Sequence, residues 1–231
     1  MKKNTMTLMA AGVCAAVVAQ VANAAVVVGW SIPSALTGTL TAATYTVGAA
    51  NDGVNAFGSS LTGVHAAATT VWSSPAGNGS AYSFSSNGWA IGDYYQVSFA
   101  ATGYQDLSVS WDQARSGTGP ATFKFQVSIN NGSFTDVVPS YTVGVSTSPN
   151  AWNSTTYYSS FTSTQALAAG ADGAANIRIR FTATAAPTGG SPAGGTGRVD
   201  NIVVSGTAIP APGAVALIGL AGMVASRRRR N

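Results

Sequence analysis

The sequence predicts an all-β protein, a two-sheet antiparallel β-sandwich of jelly-roll type flanked by two apolar terminal segments. Three observations predict it. Apolar and polar residues alternate with period two through much of residues 25–208, without a sustained helical period. Gly, Asn, Ser and Pro separate the alternating runs, with the longest breaks at 116–120 and 187–197. The length of 231 residues suits one sandwich with a sizeable core and is short for two domains.

The clearest strand is 123–130, where Phe123, Phe125, Val127 and Ile129 point one way and Lys124, Gln126, Ser128 and Asn130 the other. Asn131 and Gly132 then supply a turn tolerant of positive φ, and 134–138 returns. Residues 106–112 form a strand with Leu107, Val109 and Trp111 inward. Further strands are expected at 25–30, 82–84, 94–100 and 199–205. Another is expected at 177–181, with Ile177, Ile179 and Phe181 inward and Arg178 and Arg180 outward. The alanine-rich stretch 164–175 has room for one helical turn, and 31–70 is too weakly patterned for strands to be placed. With these, roughly eight to ten strands make a jelly roll the natural architecture.

Charge narrows the function. Charged residues make up 8% of the chain, against roughly 25% in ordinary domains. Of the eleven basic residues, Lys2 and Lys3 open the chain and Arg227, Arg228, Arg229 and Arg230 nearly close it. The middle keeps five cations against seven aspartates, a net charge of −2, and the chain has no glutamate. A nucleic-acid reader needs a basic face to neutralise phosphates, so the composition excludes that class. The single cysteine, Cys14, lies in the expected leader, so the mature chain has no disulfide and no cysteine-ligated metal. Val13 before it does not suit a lipoprotein signal.

The two ends read as addresses. Lys2 and Lys3, the apolar run 8–21, and Ala22-Asn23-Ala24 form a basic start, a hydrophobic region and an A-x-A site, which predicts a signal peptide 1–24 cleaved after Ala24. At the other end come Ile209, Pro210, Ala211 and Pro212, then an apolar run 213–225, then the four arginines. Such a cationic stop holds that end in the cytoplasm. The run is short for a permanent span of about 20 residues, so transient anchoring is expected. The expected organisation is therefore 1–24 signal peptide, 25–208 sandwich and 209–231 sorting segment.

Together, the Pro-x-Pro motif, the small-residue apolar helix and the terminal arginines of 209–231 resemble the PEP-CTERM sorting signal of Gram-negative bacteria. Ile209 stands where that family usually has Val, and Ala211 where it has Glu. The resemblance implies Sec-type export, cleavage near the proline motif by an exosortase-type membrane protease, and delivery to the cell surface or extracellular matrix. Residues 111–206 resemble jelly-roll modules of exported bacterial proteins, many related to carbohydrate-binding modules. The residues that carry this likeness are Gly117 to Pro120, the Phe123 strand with its Asn-Gly turn, and Gly197-Arg198-Val199-Asp200-Asn201-Ile202-Val203-Val204. It implies more about fold than about ligand; modules of this kind often hold a structural calcium, and many bind polysaccharide.

Candidate site residues follow. Trp72, Trp89 and Trp152 sit beside turn residues, where an exposed indole would stack on a sugar ring; the alternative is that they close the ends of the sandwich. Asp200 with Asn201, joined by Asp93 or Asp52, is the candidate calcium site, against the alternative of local loop capping. His65 is the only histidine, which excludes a Cys/His metal cluster and leaves a Ser-His-Asp triad as a formal alternative. Asp106 and Asp112 lie on one strand, about 20 Å apart, too far for paired-carboxylate glycoside chemistry. A non-catalytic surface or matrix protein that binds polysaccharide is the first reading, and a secreted hydrolase of glycans or esters the alternative. Ice binding would need a regular threonine face, and Thr37, Thr39 and Thr41 alone do not make one.

Overall fold

Two facing sheets form the body, as the alternation predicts. The computed structural model describes residues 24–188 and 194–210. In chain order the strands are β1 (Ala24–Trp30), β2 (Thr44–Gly48), β3 (Ser60–Val64), β4 (Trp72–Ser73), β5 (Phe84–Ser86), β6 (Tyr94–Phe99) and β7 (Tyr104–Arg115). They continue with β8 (Thr122–Ile129), β9 (Thr135–Thr142), β10 (Gly144–Val145), β11 (Thr162–Ala166), β12 (Ile177–Ala183) and β13 (Gly197–Ala208).

The first sheet has the order β10-β7-β13-β5-β4, with β1 also on β13 and β11 also on β7. The second has the order β2-β3-β6-β12-β8-β9. Every pairing is antiparallel except the short β10–β7 contact. The expected strands are present, and β7 and β13 run longer than their apolar cores suggest. Two strands, β2 and β3, lie in the weakly patterned 31–70 region. The strand expected at 82–84 is displaced to β5. The alanine-rich stretch holds the end of β11 and a short 3₁₀ turn at Ala169–Ala171.

The inward faces meet in one aromatic-rich core. Trp111 of β7 stacks on Phe125 of β8 at 5.1 Å between ring centres and meets Phe181 of β12 at 5.0 Å. Phe123, Phe125, Ile177, Ile179, Phe181, Val199, Ile202 and Val204 are all fully buried. β3 contributes a glycine at its inward centre for a physical reason: a Cβ on Gly63 would collide with the Trp72 ring lying across it.

The β8–β9 hairpin differs from expectation by one residue. Asn130 and Asn131 are the central residues, with φ of 48° and 64°, and the Gly132 N–H donates to the Ile129 carbonyl at 2.9 Å. Asparagine tolerates that left-handed backbone, so the pair closes the hairpin without needing the glycine at its centre.

The two outer faces differ. Over the first sheet, the 74–82 and 149–161 segments clasp one another, with the Gly79 N–H on the Asn153 carbonyl at 3.0 Å and the Tyr158 N–H on Asn78 Oδ1 at 2.8 Å. Trp152, Phe161 and Ala114 form a small second core beneath them. Among the described residues, the Phe134 ring is what lies over Arg178 and Arg180 on the outer face of the second sheet. Among the described residues, no helix is long and apolar enough to cross a membrane. The apolar runs 8–21 and 213–225, and with them Ala22, Ala211, Pro212 and Arg227 to Arg230, lie outside the described residues.

Candidate functional site

The open face of the second sheet gathers the residues best placed to meet a ligand. Register aligns one outward row across six strands: Thr46, Thr62, Gln96, Arg180, Gln126 and Asp136. At about 4.8 Å per strand the row spans about 24 Å.

Arg180 is the centre of this row. Its guanidinium carbon lies 3.9 Å from the centre of the Tyr94 ring and 3.9 Å from that of Phe134, so the planar cation is held between two aromatic faces. Its Nε donates to Gln96 Oε1 at 2.8 Å. Arg178 reaches the same Phe134 ring at 5.1 Å and donates to Ser128 Oγ at 3.0 Å. At the sheet edge, Gln126 Nε2 donates to Asp136 Oδ1 at 2.7 Å, and Lys124 Nζ pairs with Asp136 at 3.2 Å. Those two partners hold the Asp136 carboxyl below its ordinary pKa, the Gln126 bond first and Lys124 next. Desolvation among the rings lowers the Arg180 pKa, with the Arg178 charge adding to the effect. Fixed planar donors and half-exposed aromatic rings are chemistry that can meet a hydroxyl-bearing ligand.

The predicted sugar-stacking residues are elsewhere. Trp72, Trp89 and Trp152 are 0%, 1% and 6% exposed, which corrects the expectation of indoles free to stack. Backbone carbonyls satisfy two of them: Trp72 Nε1 donates to the Ala42 carbonyl at 2.8 Å and Trp89 Nε1 to the Ser86 carbonyl at 3.0 Å. With its polar atom paired inside, an indole beside a turn buries as readily as any aromatic. Trp152 packs edge-on against Phe161 under the cover of the first sheet.

Asp200 lies opposite Asp112 on adjacent strands of the first sheet, and both are 1% exposed. Asp200 Oδ2 accepts from the Asn78 N–H at 3.0 Å and from Ser80 Oγ at 2.5 Å. Asp112 accepts from Thr162 Oγ1 at 2.5 Å, Asn78 Nδ2 at 3.0 Å and Asn201 Nδ2 at 2.8 Å. Asp200 Oδ1 is buried with no partner. Burial raises the Asp200 pKa to about 6, against the hydrogen bonds from Ser80, Asn201 and Asn78 and with some help from Asp112. Neither carboxylate has a basic side chain paired with it among the described residues.

Two buried carboxylates without a counter-charge call for a proton or a cation. Asp112 and Asp200 supply two carboxylates, with Asp200 Oδ1 unpartnered and with Ser80 Oγ and the Tyr82 carbonyl beside the hydrogen-bonded Asp200 Oδ2; among the described residues no three His, Cys, Asp or Glu side chains gather as a metal-ligand set. Asn201 is corrected, since its amide nitrogen faces Asp112. Asp93 and Asp52 are also corrected, since Asp93 pairs with His65 and Asp52 lies against Gly29 of β1.

His65 completes a triad-like arrangement. Its Nε2 is 3.1 Å from Ser86 Oγ and its Nδ1 is 3.2 Å from Asp93 Oδ2. Burial lowers the His65 pKa, opposed by the Asp93 charge. Ser86 is fully buried on an inward strand position, and its hydroxyl also bonds the Tyr95 hydroxyl at 3.2 Å. His65 packs against the Trp72 and Trp89 rings, so the buried network ties β3, β4 and β5 to the segments that follow them.

No protein-family model matches the chain, and no curated protein matches it. Solved structures with a similar backbone arrangement include the CBM22-1–GH10 modules of the Clostridium thermocellum endo-1,4-β-D-xylanase 10B complexed with xylohexaose. That likeness has 13% identity and a TM-score of 0.45, over 81% of this chain and 29% of that one. The K3 cleaved adhesin domain of Lys-gingipain from Porphyromonas gingivalis is similar at 15% identity and a TM-score of 0.41, over 79% of this chain and 99% of that one. The CBM22 tandem of Xyn10C from Paenibacillus barcinonensis is similar at 12% identity and a TM-score of 0.43, over 80% and 47%. The described residues form a two-sheet, largely antiparallel β-sandwich.

Proposed function

We propose that the sandwich is a non-catalytic polysaccharide-binding module of an exported surface or matrix protein, and that the open face of the second sheet is its binding surface. One observation carries the reading: Tyr94 and Phe134 bracket Arg180 in an outward row with Gln96 and Gln126. Aromatic faces take the C–H side of a sugar ring, and fixed planar donors take its hydroxyls. A polysaccharide array probed with the full chain in mild detergent tests it. Retention that falls about tenfold or more in a Tyr94→Ala/Phe134→Ala variant supports the reading. No retention on any polymer sinks it.

Export and sorting form the outer frame of the same proposal. The leader 1–24 directs Sec-type export. The tail anchors the chain transiently in the inner membrane, and an exosortase-type protease cuts near Ile209, Pro210, Ala211 and Pro212. Mass spectrometry of the secreted protein should find a start near Ala25 and no terminal arginines. An intact chain in the cytosol contradicts this frame.

A calcium ion held by Asp112 and Asp200 is part of the proposal as well. It would neutralise the buried pair and lock the 74–82 segment onto β7 and β13. The ion would serve the fold and play no part in chemistry.

A further inference from the structure

Resting on the binding face proposed above, we infer that its ligand is an acidic polysaccharide, with a uronate carboxylate seated at the Arg178–Arg180 pair. Charge placement is the first reason. Lys124, Arg178 and Arg180 against Asp136 give this one face a net charge of +2, in a 24–210 region whose total is −2. Three of the five cations of that region are on one surface, and only Lys124 has a carboxylate partner among the described residues.

The second reason is the incomplete satisfaction of the two guanidiniums. Arg180 spends Nε on Gln96, and its two terminal nitrogens make no hydrogen bond among the described residues. Arg178 spends one terminal nitrogen on Ser128 and the Gly132 carbonyl, and its Nε is buried without a partner. Two like charges on alternate positions of β12 repel each other, and among the described residues neither is paired with a carboxylate. Rings on both sides of Arg180 cover its faces and fix its plane, which leaves the two-pronged edge for a ligand. That edge matches a carboxylate in two parallel hydrogen bonds. A neutral glycan would leave the charges unrelieved.

The test measures binding of the full chain, in mild detergent, to immobilised polygalacturonate, alginate, dextran sulfate, xylan and galactan, each with and without added salt. The expected result is preference for the two uronate polymers, weakened by salt. Arg180→Gln should lower uronate affinity by about tenfold to a hundredfold, with an unchanged melting temperature. Arg180→Lys keeps the charge and loses the fork, so it should lose most of the same affinity.

Wild-type affinity in Arg180→Lys reduces the effect to general attraction and overturns the carboxylate site. Preference for dextran sulfate alone overturns the uronate assignment. Equal binding to xylan and the uronates, untouched by Arg180→Gln, overturns this inference and leaves the face a neutral-glycan binder. Binding to none of the five sinks the face itself.

Discussion

Stripping divalent cations from the protein should lower its melting temperature by about 6–12 °C, and calcium should restore it. The magnitude follows from Asp112 and Asp200. They are paired across β7 and β13, both 1% exposed, with no basic partner among the described residues. Opposed residues of an antiparallel pair lie about 5 Å apart. At an effective dielectric of about 20, two unit charges at that distance repel by about 3 kcal/mol. For a domain of this size each kcal/mol moves the midpoint by about 2–4 °C.

A proton can stand in for the cation. The folded-state pKa of Asp200, about 6, is above its ordinary value of 3.8. Its proton-linked stabilisation is therefore whole below pH about 4 and lost as pH rises through about 6. The calcium effect should accordingly be largest above pH 6. Calorimetry at neutral pH, with chelator and then with excess calcium, measures it. Asp200→Asn should raise the cation-free midpoint and abolish the calcium response. A midpoint that ignores calcium, together with an Asp200→Asn variant less stable in both conditions, would refute the reasoning.

Other outcomes follow from the interior. With calcium present, stability should fall as pH drops below about 6.5, because His65 holds its proton less tightly when folded and its contribution is whole only above that value. His65→Gln should flatten that slope in a pH series of thermal melts. Gly63→Ala should cost about 1–3 kcal/mol by forcing a methyl group against the Trp72 ring, read by denaturant titration. Phe125→Ala should cost about 3–5 kcal/mol by emptying the space under Trp111. A panel of esters and glycosides should show no turnover. Hydrolysis lost in Ser86→Ala would revive the hydrolase alternative.

Alternation in the sequence was enough to locate β6, β7, β8, β12 and β13, because the apolar side chains of each face one way along most of its length. It placed Arg178 and Arg180 outward and Trp111 inward. It could not tell which strands flank β12, so Tyr94 and Phe134 did not appear as the walls of an Arg180 site. Those contacts are set by pairing between β6, β12 and β8, which a single strand does not encode. Asp200 stood out in the motif of the last strand, but its burial did not. Its partner Asp112 is 88 positions earlier in the chain, and β7 and β13 become neighbours only through the sheet order. Of the two readings given for the tryptophans beside turns, their burial favours the one in which they close the sandwich rather than stack on a sugar. The strands β2 and β3 escaped because their glycines and threonines carry little hydrophobic contrast.

Amide chemical-shift mapping on a polysaccharide that the array retains tests the binding face most directly. The account predicts that the largest shifts fall on Tyr94, Gln96, Gln126, Phe134 and Arg180, with little change on β13 and β7. Shifts concentrated on the first sheet, with the Arg180 row silent, would contradict it.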